Sequence, residues 1–126
     1  MTNNRLTRII IAGSRSIKDY RRTESAMDQF TAGAARRGRF EIVSGGADGV
    51  DQHAKRWAEE YDCEYTEFLP EWDVAGRAAG PQRNAEMAEY ADALVAVWDG
   101  KSAGTRNMIE QALDCGLDIY VSVNDD

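Results

Sequence analysis

Residues 41–60 read EIVSGGADGVDQHAKRWAEE, and within them the chain changes from one periodicity to another. Glu41 to Ser44 belongs to a short apolar run of strand length. Gly45, Gly46 and Gly49, with Asp48 and Asp51 between and after them, punctuate a turn. Val50, Ala54, Trp57, Ala58 and Tyr61 then recur at the spacing of one helical stripe. A strand that runs through a glycine-rich turn into a helix is the opening of a βαβ unit.

The same alternation extends in both directions. Strand-length apolar runs occur at RIIIAG (Arg8 to Gly13), FEIVSG (Phe40 to Gly45), EYTEFL (Glu64 to Leu69), ALVAVW (Ala93 to Trp98) and DIYVSV (Asp118 to Val123). Most are rich in Ile and Val and barely alternate, which suits strands covered on both faces. Ala26, Met27, Phe30 and Ala34 form a further helical stripe, as do Met108, Ile109, Ala112 and Leu113. A shorter helix is expected from about Pro81 to Tyr90, with the proline in its first turn, where an N–H is not needed. The pattern predicts α/β architecture: a Rossmann-like three-layer αβα domain with a mainly parallel five-stranded sheet.

At 126 residues the chain is the size of one domain, taken here as residues 1–126, with no linker, repeat or low-complexity segment. Its 15 Lys+Arg against 22 Asp+Glu give a net charge of -7, which argues against nonspecific binding of nucleic-acid phosphates. The run IIIA near the start is far shorter than a signal core or a membrane span, so a soluble cytoplasmic protein without a membrane anchor is expected. Cys63 and Cys115 are far apart and outside any CxxC pattern, and read as buried reduced thiols. With His53 as its single histidine, the chain offers no donor set for a transition metal, and none is expected.

In an open parallel sheet, ligands bind beyond the carboxyl ends of the strands. There the chain places Gly13-Ser14-Arg15-Ser16, then Ser44-Gly45-Gly46-Ala47-Asp48-Gly49, then Asp99-Gly100-Lys101-Ser102-Ala103-Gly104-Thr105. Such turns let a ligand approach bare N–H groups, and the following helix offers its positive end; together these make an anion seat. Arg15, Lys101 and Arg106 stand in or beside the turns of an otherwise acidic chain, which points to a negatively charged small ligand. The same residues also have a purely structural use, since glycine and Asp make tight turns and Asp48 with Asp51 resembles a helix-capping pair.

A Walker phosphate loop is absent here, because Gly49 is followed by Val50-Asp51 and not by Lys. Gly45-Gly46-x-x-Gly49 is only a loose variant of the dinucleotide fingerprint, with Glu67 as a candidate ribose-binding acid, and it is set aside because no substrate domain accompanies it. Arg83-Asn84 follows Gly80-Pro81, and the Arg is placed to fork onto a phosphate while the Asn reads a base or ribose edge. Trp72 to Gly80 reads as a mobile glycine- and alanine-rich lid, which Arg77 would also serve. Trp72 and Trp98 lie near this edge as candidates for stacking on a base, and His53 is expected at the surface of its helix.

The motifs GSR after the first strand, SGGADGVD after the second, GPQRN before the third helix and ALVAVWDGKSAGT at the fourth strand resemble the YspA-type branch of the SLOG superfamily. That superfamily also contains the Lonely-guy phosphoribohydrolases and the DNA-processing protein DprA. The resemblance runs from about Arg8 to Val121. It implies a Rossmann-like fold, a homo-oligomer, and a site for a nucleotide or ADP-ribose-like ligand of open identity, with no cofactor required. Carried over by position, the binding residues would be Gly13, Ser14, Arg15, Gly45, Gly46, Asp48, Gly49, Asp51, Arg83, Asn84, Asp99, Gly100, Lys101, Gly104 and Thr105.

One departure bears on catalysis. Lonely-guy enzymes carry acids just after their glycine motif, whereas Asn107 and Met108 stand there in this chain. Cleavage of an N-glycosidic bond would then fall to Asp48 or Asp99, with Asp51 and Glu110 as further carboxylates and Glu110 expected to face solvent. Three functions follow in order: binding of a phosphorylated nucleotide or ADP-ribose derivative as sensor, sequestering or processing protein; N-glycosidic hydrolysis or ribosyl transfer on nucleoside monophosphates; and single-stranded DNA binding, against which the acidic balance argues.

Overall fold

Ile9, Ile10 and Ile11 are all wholly buried although consecutive strand residues face opposite sides of a sheet, so this strand is covered on both faces. The computed structural model, which describes residues 6–32 and 39–124, supplies that cover. Five strands, β1 (Leu6–Gly13), β2 (Arg39–Ser44), β3 (Glu64–Glu67), β4 (Ala93–Trp98) and β5 (Asp118–Val123), form one all-parallel sheet in the order β3-β2-β1-β4-β5. Ile9, Ile11, Ile42, Val95 and Val97 pack on one face against α1 (Tyr20–Thr31) and α2 (Val50–Glu60), through Met27, Phe30, Val50 and Trp57. Ile10, Val43, Leu94 and Ala96 pack on the other against α4 (Ala79–Tyr90) and α5 (Ala103–Asp114), through Met87, Met108 and Ala112. The chain lays β1, β2 and β3 outward in one direction, then returns to place β4 on the free side of β1. That reversal opens a crevice between the ends of β1 and β4.

Several expectations need correction. β3 ends at Glu67 and not at Leu69: it is an edge strand, and Leu69 precedes Pro70. The expected lid from Trp72 to Gly80 is helical, with α3 (Trp72–Ala75), a 3₁₀ turn (Gly76–Ala78) and the start of α4. Its alanines favour helix, and Pro81 falls in the first turn of α4, where it is tolerated. Leu113 is exposed, and Tyr61 lies past the end of α2, stacked on Trp57 at 4.4 Å between centroids. Cys115 is exposed and Cys63 only half-buried, with burial pushing its thiol up. Ala34 lies outside the described residues. No helix among the described residues is long and apolar enough to cross a membrane.

His53 is buried and joins α1 to α2, not surface-facing as expected. The Lys18 carbonyl can only accept, so His53 Nε2–H donates to it at 3.2 Å, and Nδ1 accepts from the Thr23 hydroxyl at 2.8 Å. The ring meets Tyr20 edge-on at 5.5 Å. Burial lowers the imidazole pKa, whereas in the unfolded chain it titrates near about 6.5. The unfolded state therefore binds more protons as the pH falls below that value. The stability held by neutral His53 is complete above it and is lost as the pH drops toward the lower folded pKa. Urea midpoints measured between pH 7.5 and 5 should fall for the wild type, and His53→Gln should show a shallower fall.

Candidate functional site

The crevice between β1 and β4 holds a cleft of about 400 Å³, within the range of about 300–1,000 Å³ usual for small-molecule sites. Its floor is Ala12 and Gly13 from β1, with Met87 and Met108 from α4 and α5. Its polar lining is Ser14, Arg15, Ser16, Asp51, Arg83, Asn84, Asp99, Ser102 and Thr105, with Ala47 and Gly104 at backbone positions. Nine of the residues expected at the site therefore converge: Gly13, Ser14, Arg15, Asp51, Arg83, Asn84, Asp99, Gly104 and Thr105. Gly45, Gly46, Asp48, Gly49, Gly100 and Lys101 do not line it, and Asp48 is exposed.

The rim is fastened by a chain of hydroxyls. Ser102 donates its single O–H to Thr105 Oγ1 at 3.1 Å and so accepts from the Ser14 hydroxyl at 2.8 Å; Ser14, 1% exposed, accepts in turn from the Asp99 N–H at 3.0 Å. These bonds tie the end of β1 to the start of α5 along the wall of the cleft. Asn84 is also engaged internally: its amide donates to Asn107 Oδ1 at 2.9 Å and to the Gly104 carbonyl at 3.3 Å. Its Oδ1 accepts from Arg83 Nε at 3.0 Å. It clamps α4 to α5. Trp98 Nε1 donates to the Ser102 carbonyl, with Arg106 over the ring.

The start of α5 presents backbone donors without partners in the helix. Its N-cap, Ser102, makes no side-chain bond to the helix backbone, and the N–H groups of Ala103, Gly104 and Thr105 have no carbonyl within the helix to bind. The helix dipole adds positive potential there. By contrast, the start of α2 already carries an internal carboxyl group. Asp51, 6% exposed, accepts from the Ala47 N–H at 3.1 Å. Burial raises its pKa, opposed by the Ala47 bond and by the charges of Arg83 and Arg15.

Arg83 is half-buried, and desolvation lowers its pKa, as does the like charge of Arg15, with Asp51 opposing. Its Nη1 donates to the Gly45 carbonyl at 2.8 Å. Asp99 is the complement: Oδ1 accepts from the Ser102 and Lys101 N–H groups, each at 2.8 Å, and these bonds hold its pKa down to about 2. A carboxylate held this way accepts hydrogen bonds at any physiological pH and does not donate a proton. Ala12, Ser16, Ala47, Met87, Ser102 and Met108 were not expected in the lining. Ser16 and Ser102 lie inside stretches the sequence singles out, but nothing in residue type separates them from their neighbours.

Comparison with known proteins accords with this fold. Residues 7–74 match the family described as YspA, cpYpsA-related SLOG. Over 122 residues, covering 90% of this chain and 94% of the relative, the chain is 34% identical to the Gene 61 protein of Mycobacterium phage D29. Among solved structures it is similar to DNA processing protein A (DprA) from Streptococcus pneumoniae, with a TM-score of 0.70 over 92% of this chain and 18% identity. The chain spans 50% of that protein's length, and the likeness is one of fold.

Proposed function

Because this chain belongs to the YspA, cpYpsA-related SLOG family, whose membership supports a nucleotide-related function, we propose that it binds a phosphorylated nucleotide or ADP-ribose-like ligand in the β1–β4 cleft. The observation that carries this reading is the meeting, in one cleft, of the open N-terminus of α5 with Arg15 and Arg83. An anion between the two guanidinium groups would relieve their mutual repulsion and accept the free N–H groups of α5. Asp99, held as an acceptor, suits ribose hydroxyls.

Calorimetric titration with ribose 5-phosphate, AMP, ADP, NAD and ADP-ribose, against inorganic phosphate and a single-stranded oligonucleotide, tests the reading. At least one phosphorylated nucleoside should bind more tightly than inorganic phosphate, and ligand at 100 times Kd should stabilise the fold by about 2.7 kcal/mol. Gly104→Ala sharpens the test. A Cβ there meets no atom within 4 Å, so it would stand in open space at the cleft. Alanine favours helix over glycine by about 1 kcal/mol, so the fold should not weaken. Binding should weaken at least tenfold. A flat titration panel, or full affinity in Gly104→Ala, contradicts the proposal.

Asp99 also favours a second reading, N-glycosidic cleavage of a nucleoside monophosphate, because an ionised carboxylate in the cleft can stabilise oxocarbenium character. Chromatography of AMP and CMP with excess protein distinguishes it: release of free base that disappears in Asp99→Asn supports turnover, and intact nucleotide leaves binding alone.

A further inference from the structure

The sheet has two outer edges, and they are guarded differently. β3 is four residues long, carries Glu64 and Glu67, and is soon followed by Pro70; Arg39 Nη2 donates to Glu64 at 3.4 Å. Short length, charge and proline are the usual protection of a sheet edge. β5 has less of it: its six residues, DIYVSV, hold one charge, at Asp118, and neither proline nor glycine. Among the described residues no strand pairs with its outer side.

The bonds at the two ends of β5 fix which of its backbone groups are left over. The Asp118 N–H donates to the Asp92 carbonyl at 3.2 Å, and the Asn124 N–H to the Trp98 carbonyl at 2.7 Å. Asp118, Tyr120, Ser122 and Asn124 therefore turn their N–H and C=O groups toward β4, since these directions alternate along a strand. Ile119, Val121 and Val123 turn theirs outward. The side chains of these three share one face of the sheet, that of α4 and α5, where Ile119 packs against the core. Val121 and Val123 are 36% and 56% exposed, and Leu113 of α5, on the same side of the sheet, is 64% exposed. The edge thus joins a row of backbone donors and acceptors to exposed apolar side chains.

We propose that two copies of this chain pair through β5, antiparallel about a two-fold axis at Val121, so that one sheet runs through both copies. A closed pair of identical chains uses the same patch on each side. In this register Val121 stands opposite Val121 of the other copy, and Ile119 opposite Val123. All three outward-turned residues then fall in hydrogen-bonded pairs, and their side chains meet as pairs of β-branched residues. A register centred on Tyr120 or on Ser122 leaves one of the three without a partner in β5. Asp118, the one charge of the strand, falls opposite Asn124, whose Oδ1 accepts from Arg22, and not opposite its own copy. A strand edge that complements itself in backbone, side chain and charge selects a second copy as its occupant. The pairing is independent of what the β1–β4 cleft binds.

Sedimentation of the full chain tests the pairing, with wild type, Val121→Lys and Val121→Pro compared over a range of concentrations. Lysine sets two like charges opposite each other, and proline removes an N–H that points away from β4. Neither breaks a bond within the sheet, and circular dichroism checks the fold. The wild type should sediment as a dimer, and each variant should raise the dimer dissociation constant at least about tenfold. Cysteines read the register. Opposed Cα atoms in a hydrogen-bonded pair stand about 5.5 Å apart, inside the span of about 4.4–6.8 Å that a disulfide bridges. With the exposed Cys115 changed to Ser, Val121→Cys should oxidise to a covalent dimer, and Val123→Cys, which faces Ile119, should not. A wild type that stays monomeric at every concentration would overturn the proposal. So would a dimer that survives both Val121 variants, which would place the contact on another face, or a dimer that Val121→Cys does not cross-link.

Discussion

Gly49→Val is expected to remove a substantial share of the folding stability of this protein, seen as a large fall in the urea midpoint or as failure to fold. Gly49 caps α2 with φ 73° and ψ -126°, a conformation that L side chains rarely adopt. A Cβ there would also lie 2.6 Å from the carbonyl oxygens of Ser14 and Arg15. Those are backbone atoms at the end of β1, and they cannot swing aside as a side-chain tip would. The backbone strain amounts to about 1–3 kcal/mol, and forced overpacking adds about 1–3 kcal/mol. Domains are stable by only about 5–15 kcal/mol. The contrast with Gly104→Ala is the useful part, because Gly49 caps α2 and Gly104 stands in the first turn of α5, and only Gly49 meets protein on the side a Cβ would occupy. A Gly49→Val midpoint close to wild type would mean that the start of α2 can shift away from β1, and the packing described between them would be wrong.

That contrast also explains what the sequence disclosed and what it did not. The Ile- and Val-rich runs announce buried strands because the pattern is local: Ile9, Ile10 and Ile11 cannot all be apolar on a half-exposed strand. The order β3-β2-β1-β4-β5 is a tertiary fact, and no run of residues carries it. Trp72 to Gly80 is rich in glycine and alanine, and its helical pieces, α3 and the 3₁₀ turn, are four and three residues long, too short to leave a periodic pattern. His53 was expected outside because a histidine in a first turn ordinarily faces water. Its burial depends on Thr23 and Lys18 from a different part of the chain.

The site was legible to the level of the turn and not of the side chain. Glycine and small polar residues follow β1, β2 and β4, and a parallel sheet brings those turns together at one edge. Which of them faces the cleft is set by packing. Gly49 is consumed by contact with β1, and Asp48 points away while Asp51 points in, although the two read alike as turn acids. Ser14 and Asn84 line the cleft, and their polar atoms are also bonded within the protein, to Ser102, Gly104 and Asn107. Hydrogen-bond partners 20 to 88 residues away are invisible to any local pattern.

Arg83→Ala should weaken binding of ribose 5-phosphate by about 10- to 100-fold, the range for losing a charge-assisted hydrogen bond. The cleft lining carries two cations, Arg15 and Arg83, and two carboxylates, Asp51 and Asp99, so its side-chain charge is balanced before an anion arrives. Removing Arg83 leaves Asp51, buried and already disfavoured as an anion by desolvation, with the charge of Arg15 still opposing that shift. The variant would therefore present a net negative cleft to a negative ligand. Arg83→Lys should recover only part of the loss, because an ammonium keeps the charge without the planar fork that reaches both the Gly45 carbonyl and Asn84. The decisive variant is the double substitution Arg83→Ala with Asp51→Asn. If the two groups act through their charges in one site, neutralising Asp51 should return a measurable share of the affinity, and the two effects should fail to add. A double variant no better than Arg83→Ala alone would show that Arg83 serves the cleft by holding the Gly45 turn in place, and that the anion is bound elsewhere.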